Sequence, residues 1–221
     1  RDELLYEYGK SEFNLNRFKS SVIYLEKIKN KDDEINFLLG VGEFNNKNFE
    51  KSKLYLEEVS SYIYEDKKNL FLGIISYQAE EFDLALNYFD NISDKDLEKQ
   101  YLQYIISINY LREDYEATVK LSDKINNNRT LVDNIDYCFF FIGKAQFILE
   151  DFNNSIITLN QIKNSIDRED EISFLIAYSN YILKNYDESK PIFKSLSDNS
   201  SDYSQLSSFY LGMIFLEERE F

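Results

Sequence analysis

Asn36 to Val59 reads NFLLGVGEFNNKNFEKSKLYLEEV, and Asn69 to Ile92 reads NLFLGIISYQAEEFDLALNYFDNI. Laid over each other, the two stretches match Leu39-Gly40 with Leu72-Gly73, Phe49 with Phe82, Ser52 with Ala85, Leu56 with Phe89 and Val59 with Ile92. Working outward, an aromatic that follows a polar or charged residue carries the same phase along the chain, at Phe18, Phe49, Phe82, Tyr115, Phe152, Tyr186 and Phe221. The intervals are 31, 33, 33, 37, 34 and 35 residues. Self-similarity at a period of about 34 means one supersecondary unit repeated in tandem. Nine residues before the markers stand Gly9, Gly40, Gly73, Ile106, Gly143, Ala177 and Gly212, so five of the six glycines share one phase. Three residues after them come Ser21, Ser52, Ala85, Thr118, Ser155 and Ser189, all small; ten after come Ile28, Val59, Ile92, Ile125, Ile162 and Leu196. A small residue lets two helices approach, and the aliphatic closes the hairpin.

The unit is helical. One proline and six glycines are too little turn chemistry for an all-β chain, which needs a turn every 8–12 residues or so. Apolar residues recur at helical spacing, as at Val22, Leu25 and Ile28 or Leu54, Leu56 and Val59, predicting amphipathic helices of about 12 to 15 residues. Between them, Asn30 to Asp33, Ser93 to Asp96, Asn126 to Asn128 and Asp198 to Ser201 read as connections.

Leu-Gly followed by an aromatic, a small residue and then Leu or Phe resembles the tetratricopeptide repeat family, although no Trp occurs and no Pro separates the units. The resemblance implies an all-α chain, a right-handed α-α superhelix (solenoid) of about six hairpins plus a terminal helix. It implies one domain over 1–221, in units near 2–33, 34–65, 66–98, 99–135, 136–169 and 170–204, with a partial unit at 205–221. In that family the first helix of each unit lines a concave groove. Carried over by position, the groove residues are Phe37 and Val41; Leu70, Phe71 and Ile74; Tyr104; Phe140, Phe141 and Lys144; Phe174 and Tyr178; and Phe209 and Tyr210. Two causes would give such an aromatic strip, and the residues leave both open: packing between neighbouring helices, or an exposed surface that anchors an apolar or amphipathic segment of a partner protein. The subgroup that clamps C-terminal carboxylates with Lys and Arg is not matched, since Lys10 and Lys144 are the basic groove residues.

Composition narrows the function. The formal charge is −15 and aromatics are 16% of the chain, which fits a self-repelling folded surface and opposes nucleic-acid binding through phosphate neutralisation. With no His, His-based triads are excluded and the commonest metal ligand is missing. Cys138 is the only cysteine and is expected as a small buried apolar residue. Acidic pairs such as Asp32-Asp33, Glu57-Glu58 and Glu80-Glu81 read as solvated faces. The expectation is a non-catalytic scaffold with no cofactor or metal; an RNA-binding helical repeat and an α-hairpin enzyme using groove carboxylates are the alternatives.

Some local features carry their own expectations. The long fourth interval places an insertion at Asn126 to Thr130, a solvated loop or a partner-contacting one. Pro191 falls inside the sixth second helix, which is predicted to start late, near Ser189, rather than to bend. The last helix, Phe209 to Leu216, is apolar on nearly every side; its outer face is expected to be covered by further residues or by another chain, self-association included. The longest apolar stretch, Phe139 to Leu149, is too short and polar to span a membrane. The chain begins at Arg1 without Met or a signal peptide, as a processed chain or a fragment would. The resemblance suggests a bacterial cell-envelope role, periplasmic or outer-membrane-associated, with the cytoplasm as the alternative.

Overall fold

The computed structural model describes residues 1–127, 130, 132, 134–164, 166–198 and 201–218. Among these the elements are all helical. In order they are α1 (Asp2–Asn14), α2 (Phe18–Leu25), α3 (Asp33–Asn45), α4 (Phe49–Glu57), α5 (Glu65–Gln78), α6 (Phe82–Asp90) and α7 (Glu98–Leu111). There follow α8 (Tyr115–Lys120), α9 (Ser122–Asn127), α10 (Ile135–Ile148), α11 (Phe152–Leu159), α12 (Glu169–Ile182), α13 (Tyr186–Asp198) and α14 (Ser204–Glu217). The helices form antiparallel hairpins, each a first (A) helix and a second (B) helix. Every described marker aromatic, from Phe18 to Tyr186, is the first residue of a B helix. Phe221 lies outside the described residues, as do Asn128 and Arg129 of the predicted insertion.

The contacts group the chain into two compact units, Arg1–Tyr101 and Leu102–Phe221. In the first, Val22, Leu25, Ile28, Ile35 and Leu39 form one core cluster, and Phe37, Leu56, Val59, Leu72 and Ile75 another. The second is built on Leu102, Ile106, Phe139 and Ile142, and on Phe174, Phe193, Leu196 and Ile214.

Each turn from A to B is made the same way. Asn16, Lys47, Glu80, Glu113, Glu150 and Lys184, two residues before each marker, have φ between 57° and 64°. In the second hairpin the Lys47 N–H bonds the Phe44 carbonyl and the Asn48 N–H bonds the Glu43 carbonyl, both at 2.9 Å. The other five repeat this Schellman pattern, which satisfies carbonyls orphaned at the helix end.

Where the helices cross, the phased glycines admit the partner side chain. A Cβ on Gly9, Gly40, Gly73 or Gly143 would lie 2.5–2.6 Å from Leu25, Leu56, Phe89 or Leu159 respectively. The same approach lets Ser21, Ser52 and Ser155 donate from Oγ to the carbonyls of Gly9, Gly40 and Gly143 at 2.7–2.8 Å. The fourth hairpin has Ile106 at this phase, and sixteen residues on, where the others carry Leu or Phe, stands Ser122. The bulk has moved from B to A, and the B helix is interrupted at Leu121 between α8 and α9.

Two expectations are corrected. The A helices run 13 or 14 residues, but α2, α4, α6 and α11 have only eight or nine. The aliphatic that follows closes the hairpin just beyond the helix: the N–H groups of Ile28, Val59, Ile92 and Ile162 bond carbonyls three residues back. Nor does α13 start late. It begins at Tyr186, with the Ser189 N–H on the Asn185 carbonyl at 3.1 Å, and carries Pro191 as its sixth residue. Proline cannot donate to the Asp187 carbonyl, but Pro191 and Asp187 are both exposed, so water can supply the missing bond.

Candidate partner-binding face

The A helices place the thirteen proposed groove residues at three levels. Phe37, Val41, Leu70, Phe140 and Phe174 are buried; Phe71, Ile74, Tyr104, Phe141, Lys144, Tyr178 and Tyr210 are half-buried; Phe209 is 58% exposed. The level follows the register. Residues three before the glycine phase are covered by what comes next in the chain: Phe37 stacks on Tyr64 at 4.6 Å between ring centroids, and Phe174 stacks on Tyr203 at 4.9 Å. Phe209 has that register in α14, and no described element follows to cover it.

The half-buried rings pack against other aromatic rings within each unit. In the first, Phe71 meets Phe44 at 4.9 Å. In the second, Phe141 meets Tyr110 at 5.2 Å, Tyr178 meets Phe147 at 5.5 Å, and Tyr178 meets Tyr210 edge-on at 5.0 Å. Offset and edge-to-face geometries at such distances favour aromatic pairs. Each of these rings is packed by its neighbours and stays half-buried.

Both lysines of this face are already engaged. Lys10 donates from Nζ to Tyr6 Oη and to Glu34 Oε1, each at 2.7 Å. Lys144 holds Glu171 in the same register one hairpin apart, its ammonium 5.6 Å from the Tyr110 ring centroid and 5.4 Å from that of Phe140. Arg168 joins this second clamp, 5.3 Å from the Phe140 ring and 3.1 Å from Glu171 Oε2. The bond from Lys10 holds the Glu34 carboxyl below its usual value. Burial alone would lower the Lys144 pKa, but the bond to Glu171 and the nearby Tyr110 outweigh it, and the ammonium ends above the ordinary lysine value.

Cys138 is buried and its thiol is pushed up to about 12 by that burial, far from a reactive thiolate. Among the described residues no cluster of three His, Cys, Asp or Glu side chains could hold a metal ion, and no helix is long and apolar enough to cross a membrane.

Two recurrent features escaped the sequence reading. Five residues before each marker stand Phe13, Phe44, Tyr77, Tyr110, Phe147 and Tyr181, each against its marker ring at 5.4–6.1 Å across the turn. The aromatic pair at that fixed interval was the signal available. The acidic residues at the A-helix starts are also more than a solvated face. Asp33 accepts from the Ser60 hydroxyl at 3.1 Å and the Ser61 N–H at 2.6 Å, while Asp66 accepts from the Ser93 and Asp94 N–H groups. Asp136 does the same for Lys163 and Asn164. Each carboxylate pins the loop that leaves its own hairpin.

No protein-family model matches the chain, and no curated protein matches it by sequence. Solved structures of MamA align with it. One of MamA AMB-1 is 18% identical over 93% of this chain and 97% of that one, with a TM-score of 0.38. One of MamA MSR-1 is 18% identical over 88% and 93%, with a TM-score of 0.36. At those scores the likeness carries no functional inference. Each unit is, in its described residues, a set of tandem helical hairpins whose A helices carry aromatic rings and internally neutralised lysines.

Proposed function

We propose that this chain is a non-catalytic protein-interaction scaffold whose A-helix face receives an apolar or amphipathic segment of a partner protein. The observation that carries this reading is the engagement of Lys10 by Glu34 and of Lys144 by Glu171. With their cations neutralised from within, the A helices offer a partner the exposed parts of half-buried rings, Phe71 in the first unit and Tyr104, Phe141, Tyr178 and Tyr210 in the second. Aromatic anchors of this kind dominate interface energies, often at 2 kcal/mol or roughly more each. A bacterial cell-envelope setting is part of the proposal and rests on the family resemblance alone; fractionation of the source cell tests it.

The test of the binding face is photo-crosslinking in the source cell with a reactive group introduced at Tyr104 or Tyr178, set against one at Leu54 on an exposed B-helix surface. Adducts are expected from the A-helix positions and are reduced by Phe141→Ala. Equal yields from Leu54, or no effect of Phe141→Ala in a folded protein, would overturn the reading.

A further inference from the structure

In the first unit, the end of α4, the first half of α5 and the second half of α6 line a cleft of about 400 Å³, within the size range of small-ligand pockets. None of the thirteen proposed groove residues lines it. Asn69 of α5 does, and it is only 4% exposed. Its Nδ2 donates to the Asn91 carbonyl at 3.4 Å, and its Oδ1 receives no donor among the described residues. That oxygen is still within reach of solvent, unlike the sealed and unpaired Gln146 Oε1 and Ser207 Oγ. A polar side chain buried this far costs stability unless something pairs it.

The repeat shows that the fold needs no amide here. Four residues before the glycine phase, where α5 carries Asn69, the first, fourth and fifth hairpins carry Leu5, Leu102 and Phe139, the last two of them core residues. Five residues after the marker, where α6 carries Asn87, the first, second and fifth hairpins carry Ile23, Leu54 and Ile157. The third hairpin is thus polar at two positions that are apolar in three of the other five. Both positions lie in the wall of the cleft.

The wall states what would suit it. Asn69 and Asn91 spend their Nδ2 groups on the Asn91 and Asn87 carbonyls, the second at 2.7 Å, and keep their oxygens as acceptors. Lys68, the cation of the lining, is engaged by Glu65 at 2.7 Å and by the Val59 carbonyl at 3.1 Å. The Asn87 amide and the Tyr88 hydroxyl bring donors; burial and the nearby Glu57 carboxylate push the Tyr88 phenol up, which keeps its proton in place. Leu72 and the Tyr88 ring supply apolar surface. A small neutral ligand dense in hydroxyls fits this wall, since each hydroxyl both donates and accepts, while the exposed Glu57 opposes a phosphate or a carboxylate. We propose that this cleft binds a neutral saccharide, a pyranose whose hydroxyls donate to Asn69 Oδ1 and Asn91 Oδ1 and accept from Asn87 and Tyr88. The proposal does not rest on the A-helix face and stands or falls separately from it.

The probes are the methyl α-pyranosides of glucose, galactose, mannose and N-acetylglucosamine, each titrated into the whole chain and followed by two-dimensional amide NMR. Saturable shifts are expected with at least one of them, at the side-chain amides of Asn69, Asn87 and Asn91. Asn69→Leu installs the residue that the first and fourth hairpins carry at this position, so the variant should melt no lower than the parent. It should bind the same glycoside about tenfold more weakly, roughly the worth of one hydrogen bond, and Tyr88→Phe, which removes only a hydroxyl, should weaken it as well. No saturable shift with any of the four, or unchanged affinity in both variants, would overturn the proposal. A lower melting temperature for Asn69→Leu would make the amide structural and overturn it too. So would equal binding of acetyl-Ala-Ala-amide, which has peptide groups and no hydroxyl, or of butylammonium, which offers only a charged amine.

Discussion

Glu80, Glu113 and Glu150 hold the left-handed backbone at three of the six hairpin turns, and Asn16, Lys47 and Lys184 hold it at the others. The left-handed region brings Cβ close to the following carbonyl, at about 1–2 kcal/mol for a residue other than glycine. The fold tolerates that strain at every turn. Glu80→Gly is therefore expected to stabilise the chain by about 1 kcal/mol, after the entropy glycine adds to the unfolded state, as a higher denaturant midpoint would show. Meanwhile the glycines stand in mid-helix, at the crossings. Gly143→Ala sets a methyl 2.6 Å from Leu159 Cγ and should cost about 1–3 kcal/mol by overpacking. Gly212, same in phase, meets nothing within 4 Å, so Gly212→Ala should be neutral or gain up to about 1 kcal/mol of helix propensity. Equal effects at both sites would contradict the crossing geometry.

At the scale of the element, acid-sensitive carboxylates at the start of α3 tie it to the loop that leaves its hairpin and to the hairpin before it. The Ser60 and Ser61 groups hold Asp33 below its usual pKa, and Lys10 does the same for Glu34. A carboxyl whose folded pKa is depressed stabilises the fold fully above its unfolded pKa, about 4, and loses that contribution as pH falls through the folded value. Stability should thus drop below about pH 4, and Asp33→Asn with Glu34→Gln should flatten that acid limb in melting temperatures measured against pH. These carboxylates show what the sequence made legible. The repeat, the A–B division and every described B-helix start could be read because apolar and small residues recur at fixed phase. The contacts of Asp33 could not, since an acidic residue at a helix start is favoured by the helix dipole whether or not it binds anything else. The turns were hidden too, because Lys and Glu carry no turn signal. Pro191 misled for the opposite reason: a strong local signal was overridden by packing of Phe193 and Leu196, both buried on α13. Among the candidate groove residues, sequence placed the helix and the register but not the depth, which depends on what the next hairpin lays across each ring.

For the whole molecule, α14 exposes several large apolar side chains, Leu206, Phe209, Phe215 and Leu216. Contiguous apolar surface on a helix is a recurrent mark of association. Sedimentation should detect self-association of the chain that Phe215→Glu with Leu216→Glu abolishes; a monomer at all concentrations would argue that α14 is not used in this way. Phe140 and Phe174 belong to a different experiment, because they are buried: Phe140→Ala is expected to cost about 3–5 kcal/mol of stability and to report on the core. One feature reaches beyond stability. The serine-to-glycine bonds of the first, second and fifth hairpins join residues only 12 apart in sequence, and the side chains seated against those glycines come 16 residues after them. Loops this short close at small entropic cost, and chains dominated by local contacts fold fast. The partners of these bonds and crossings lie within one repeat, so such a hairpin can begin to form while the ribosome is still adding the next one, and its crossing need not wait for a distant stretch of chain to be made.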